Sequence, residues 1–194
     1  MRNCIPVLIA SAGLIGGCTS SEEGLSGRIA ACEIVTDYVQ RFVSDAERFR
    51  AEYPDAPRGV AVSETPYQLL PVLTKDGPID GVVPDVISTV EDWEEITKLS
   101  SEGVLEKCPE LKSWLNGRVI IADDAEISSL TKGDEWEANI IWIALPVFTE
   151  DRKNAVVFAS KGAGGLAGVG MMAVYSKDEG GEWRFVGEKT RWIS

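Results

Sequence analysis

Two hydrophobic periods divide this chain. The apolar residues Ile29, Cys32, Val35, Val39, Phe42, Ala46 and Phe49 recur at three- and four-residue steps. That spacing puts one stripe on a helix of about 25 residues, with Arg, Asp and Glu on its other face. From residue 119 onward the pattern changes. Val119–Ala122, Ala138–Phe148, Ala155–Ser160, Gly170–Ser176 and Trp183–Gly187 are rich in Val, Ile, Phe, Tyr and Trp, with Thr190–Ile193 a further extended piece. Polar turns such as Thr149–Asn154 separate these runs. Connections this short leave no room for crossover helices, so antiparallel pairing is expected. Helices first and strands last predict an α+β fold, with a long N-terminal helix and short helices packed on a C-terminal antiparallel β-meander. The helical stripe is expected to pack on that sheet and not on a partner.

The middle of the chain is shaped by proline. Six of the nine prolines lie between Tyr53 and Pro84, which disfavours both a long helix and a central strand there. Short extended pieces are expected around Gly59–Val62 and Tyr67–Leu73, within an irregular crossover that is a candidate binding edge. Ser88-Thr89-Val90-Glu91 is a capping-box pattern opening a short acidic helix to about Leu99. A second short helix is expected from Val104 to Leu115, interrupted by Pro109 and stopped by Asn116-Gly117.

Composition removes whole classes of function. The 194 residues include no histidine, which excludes Ser-His-Asp and Cys-His nucleophile systems and any zinc site built on imidazole. A formal charge of −12 argues against nucleic acid as a partner, since phosphate contacts need a basic face. No cofactor is expected.

The N-terminus carries the sharpest motif. One positive charge at Arg2 precedes a nearly continuous apolar run from Cys4 to Ile15, too short to span a bilayer and suited to a signal peptide. Leu14-Ile15-Gly16-Gly17-Cys18 resembles the lipobox of bacterial lipoproteins. That resemblance implies removal of residues 1–17 and lipidation of Cys18, whose thiol takes the lipid. Residues 18–27, small, polar and acidic, are expected to form a flexible tether before a single α+β domain over 28–194. The partner implied is a membrane, held through the anchor on Cys18. The location implied is the bacterial cell envelope, facing the periplasm, with Thr19 after the cysteine favouring the outer over the inner membrane. Loss of Arg2 takes the mature chain to −13, a charge that anionic lipid repels, so acyl chains must supply the attachment.

Once Cys4 leaves with the signal and Cys18 is acylated, Cys32 and Cys108 remain. In an oxidising compartment two cysteines form one disulfide or stay as two buried thiols. A bridge closing that loop would add about 4 kcal/mol in chain-entropy terms.

The chemistry-bearing strings are weak. Lys161-Gly162-Ala163-Gly164-Gly165-Leu166-Ala167 fits the loose dinucleotide fingerprint, but too little chain follows for the second half of that fold. A glycine-rich hairpin loop is expected, with Lys161, Gly164 and Gly165 as a possible anion cradle. Ser129-Leu130-Thr131-Lys132 matches the Ser-x-x-Lys pair of penicillin-recognising enzymes without their further motifs, and reads as a polar turn. The acids Glu91, Asp92, Glu94 and Glu95, then Asp123, Asp124 and Glu126, then Asp134, Glu135 and Glu137 read as solvated faces, and no metal site is expected.

From about Ala144 to Ser194 the order of phenylalanine, acidic turn, Ala-Val-Val-Phe strand, glycine-rich loop, aliphatic strand, Gly-Glu-Trp and terminal Trp-Ile-Ser resembles a group of small uncharacterised bacterial secreted proteins and lipoproteins. That resemblance implies a β-meander closed by tryptophans, here Trp183 and Trp192, and brings no established activity with it. The expected role is non-enzymatic: a periplasmic lipoprotein that binds an envelope protein or a small ligand. The alternative is a carboxylate-dependent envelope hydrolase, which needs two acids from different elements in one pocket.

Overall fold

A computed structural model describes residues 19–55, 59–67, 102–133, 136–162 and 168–193. Helix α1, Thr19–Glu52, is followed by strand β1, Gly59–Ser63, and by two short helices, α2 (Val104–Lys107) and α3 (Pro109–Leu115). Strand β2 (Ile120–Ala122), helix α4 (Asp124–Leu130) and strands β3 (Ala138–Ile143), β4 (Val147–Phe148), β5 (Asn154–Gly162), β6 (Gly168–Lys177) and β7 (Trp183–Ile193) complete the described elements. The fold is α+β, as the two periods require, and ends in an antiparallel β5-β6-β7 meander.

The sheet runs β2-β1-β3-β5-β6-β7, with β4 pairing β5 beyond the end of β3. It is mixed, which corrects the all-antiparallel expectation. Strand β1 pairs parallel with both β2 and β3, through Ala61 opposite Ile120 and Ile140. The reason lies in the connection from β2 to β3. It contains α4, where a turn was expected, and a helix is what a parallel return needs. Strand β1 falls where the extended piece Gly59–Val62 was expected, but it is a central strand, which the prolines around it had argued against. Gly59–Ser63 contains no proline, its residues from Val60 to Ser63 are buried, and it sits inside the sheet. The expected extended piece at Tyr67–Leu73 is described only at Tyr67, which is buried. The expected helix opening at Ser88 lies outside the described residues.

Helix α1 starts at Thr19, so the segment expected to be a flexible tether is helical from that residue on. Its buried face is also rotated from the expected stripe. Ala31, Ile34, Val35, Tyr38, Val39, Phe42, Val43 and Ala46 are buried, whereas Ile29 and Phe49 are exposed. Phe49 stacks on Tyr53 with ring centroids 4.7 Å apart. The buried face packs with α2 and α3 against Val62, Ile141, Val157, Ala173 and Tyr175 of the sheet, forming the main core. Fully burying a side chain such as Val35 or Val39 contributes about 1.5–3 kcal/mol. The opposite sheet face is also apolar. Ala61, Ala138 and Ile140 pack beside Ile127 of α4, and Tyr67 joins Val156, Phe158 and Met172.

Pro109 divides the expected Val104–Leu115 helix into α2 and α3. Cys108, the residue before proline, has φ −121° and ψ 74° and is excluded from helical backbone by the proline ring. Pro109 then opens α3, where its missing N–H costs nothing. Pro146 separates β3 from β4 in the same way, within the expected strand Ala138–Phe148.

Candidate functional site

Cys32 on α1 and Cys108 at the α2–α3 corner form a disulfide with a Cα separation of 5.4 Å and 76 residues between them in sequence. Beside it the Arg28 guanidinium donates from Nε and Nη2 to the Lys107 carbonyl at 3.2 and 2.9 Å. Covalent and polar links therefore fasten the N-terminal half of α1 to the short helices. They also form the two walls of a groove of about 590 Å³. One wall is the α1 row Arg28, Ile29, Cys32, Glu33, Thr36, Asp37 and Gln40; the other is Lys107, Pro109 and Glu110. Side chains four residues apart lie above one another on a helix, so the groove runs along α1. Ile29 is 53% exposed on its edge.

A second cleft, of about 450 Å³, shares Asp37 and Gln40 with the groove and lies where α1 meets β5 and β7. Two hydrogen-bonded clusters line it. In the first, Tyr38 donates its hydroxyl proton to Glu188 Oε2 at 3.0 Å, and Lys161 Nζ donates to both Glu188 oxygens at 3.1 and 3.2 Å. The same ammonium stands 5.2 Å from the centre of the Tyr38 ring. In the second, Tyr175 donates to Asp37 Oδ2 at 2.8 Å, and Arg41 donates to both Asp37 oxygens while lying 4.7 Å from the Phe185 ring centre. Burial raises the pKa of the Tyr38 hydroxyl, and the charge of Glu188 and its hydrogen bond raise it further. Tyr175 is raised by burial and then by its bond to Asp37.

This second cleft bears on two readings of the sequence. Lys161, expected in an anion cradle, lies on β5 with its ammonium paired to Glu188. Gly164 and Gly165 lie outside the described residues; β5 and β6 pair antiparallel as far as Gly162 opposite Gly168. Asp37 and Glu188, from a helix and a strand, share the cleft as a hydrolase would require. Their oxygens already accept from a tyrosine hydroxyl and a cation, an arrangement that ties α1 to the sheet.

The remaining acids are dispersed. Asp123 caps α4 by accepting from the Glu126 N–H at 2.8 Å, and Asp124 accepts from Thr65 Oγ1 at 2.7 Å. Glu126 and Glu137 are exposed; Glu91, Asp92, Glu94, Glu95, Asp134 and Glu135 lie outside the described residues. Ser129 and Leu130 end α4, Thr131 caps it, and Lys132 follows. No group of three or more metal-ligating residues occurs among the described residues, and no described helix is long and apolar enough to cross a membrane. Cys18 lies outside the described residues. Trp183 is half-buried against Phe148, with ring centroids 5.4 Å apart.

Of the residues that form the two hydrogen-bonded clusters of the second cleft, only Lys161 is singled out by the sequence, and for a different role. The one local signal for the others is the four-residue spacing of Asp37 and Arg41 on α1; Tyr38 lies outside the predicted stripe. Their partners Tyr175 and Glu188 are 138 and 150 residues away, so the pairing exists only in three dimensions. Comparisons with protein-family models, with curated proteins and with solved structures found no match to this chain.

Proposed function

We propose that this chain is a lipid-anchored protein of the bacterial cell envelope whose domain has a non-enzymatic, ligand-binding role. The groove beside Cys32 and Cys108 carries this reading. It is concave, mostly apolar in lining and rimmed by a few charges, the usual make-up of a small-molecule site. The Leu14–Cys18 motif supports the anchor, and the Cys32–Cys108 bridge is consistent with an oxidising compartment.

Metabolic labelling with a fatty acid tests the anchor. The wild-type chain incorporates label and Cys18→Ser does not; label on the variant would overturn the lipoprotein reading. The hydrolase alternative rests on Asp37 and Glu188 sharing the second cleft. It predicts that Asp37→Asn and Glu188→Gln each abolish turnover of an envelope substrate by the wild-type protein.

A further inference from the structure

The shape and rim of the groove narrow its ligand to one chemical class. Its α1 wall runs from Arg28 to Gln40, twelve residues, or about 18 Å at the helical rise of 1.5 Å per residue. A slot that long with a volume of only about 590 Å³ is narrow, and suits a linear guest better than a compact ring system. Its lining includes Ile29, Cys32, Thr36 and Pro109 beside the charged residues, and is mostly apolar in surface. The rim carries both signs. Arg28 and Lys107 are cations, the first donating to the Lys107 carbonyl and the second paired with Glu102 at 3.3 Å, and Glu33, Asp37 and Glu110 are carboxylates. Opposed charges beside an apolar slot complement a headgroup that itself carries both charges.

We propose that this groove binds a single-chain zwitterionic lipid, with the acyl chain along α1 and the headgroup between the cationic and acidic rim residues. The inference rests on the binding role proposed above, and the anchor gives it a source. Ile29 is ten residues beyond the start of α1, about 15 Å along the helix axis, so acylation of Cys18 would hold the groove close to a bilayer surface.

The test uses the whole chain carrying Cys18→Ser, which removes competing acyl groups, titrated calorimetrically below the micelle concentration. The probes are lysophosphatidylethanolamines of increasing chain length. Affinity should rise by up to about fourfold per added methylene while the chain still fits the slot. Ile29→Asp places a charge on an exposed edge residue, and should weaken binding by about tenfold or more without unfolding the domain. Thr36→Trp obstructs the middle of the slot and should do the same. An alkyl sulfate of equal chain length should bind more weakly than the zwitterion. Affinity independent of chain length, or unchanged in both variants, overturns the acyl-chain assignment; equal binding of the sulfate overturns the headgroup assignment. Because the anchor is absent from this experiment, its outcome is separate from that of the labelling test.

Discussion

Tyr38 of helix α1 and Glu188 of strand β7 are joined by a 3.0 Å hydrogen bond across 150 residues of sequence. The bond fastens the first long element of the chain to its last. Tyr38→Phe removes the donor and leaves Glu188 with Lys161, so the expected cost is about 1–2 kcal/mol, within the range for bonds to a charged group. Glu188→Gln should cost a similar amount. The double variant should cost less than the two singles added, because they share one interaction. Urea unfolding of the four proteins measures this, and strict additivity would show the pair to be uncoupled.

The two buried tyrosines also set an alkaline limit. In the unfolded chain a tyrosine ionises near its ordinary value of 10.0, whereas Tyr38 and Tyr175 hold their protons beyond that in the fold. A raised native pKa gives stability that is complete below the unfolded value and declines as pH climbs above it. Unfolding free energy should therefore drop as pH rises past about 10, and tyrosinate absorbance from these two residues should appear together with loss of structure. Ionisation of all four tyrosines in a still-folded chain would contradict this.

Reduction of Cys32–Cys108 should be costly in proportion to the loop it closes. A separation of 76 residues corresponds to about 4 kcal/mol of unfolded-state entropy. The Cys32→Ala, Cys108→Ala double variant should lose about that amount in chemical denaturation, and wild type in reductant should match it. Loss of less than about 1 kcal/mol would mean that the Arg28–Lys107 contact and the core already fix this corner.

Two glycines in the sheet should respond oppositely to alanine. A Cβ at Gly162 would stand 2.6 Å from Trp136 Cζ3 and 3.4 Å from Trp142 Cζ3, so the rigid indole must shift. Overpacking of this kind costs about 1–3 kcal/mol, and the tryptophan emission should change with it. A Cβ at Gly187 meets nothing within 4 Å, so Gly187→Ala should be close to neutral. Melting temperatures of the pair decide it.

Local pattern carried far along this chain. The C-terminal strands and the existence of α1 follow from periodicity, and Pro109 and Pro146 break elements where their rings forbid continuation. What could not be read is what depends on partners distant in sequence. Strand β1 is ordinary as a pentapeptide, and becomes central only because β2 and β3 pair with it from 59 and 79 residues away. The rotation of the α1 face has the same cause. Tyr38 is buried because Glu188 and Lys161 receive its hydroxyl and ring, while Ile29 is left at a groove edge. Of the groove itself, sequence supplied the two cysteines as a possible pair; its walls come from the docking of α1 on the α2–α3 corner.

The position of β1 has a consequence for how the chain is made. Strands β5, β6 and β7 follow one another directly and can pair as soon as they exist, whereas β1 waits for β2 at residue 120 and for β3 at residue 138 before both its edges are paired. Until then the α1 face and β1 lack Ile141, Val157, Ala173 and Tyr175, the sheet residues that complete their burial, and synthesis from the N-terminus is a long wait followed by closure around the last third of the chain.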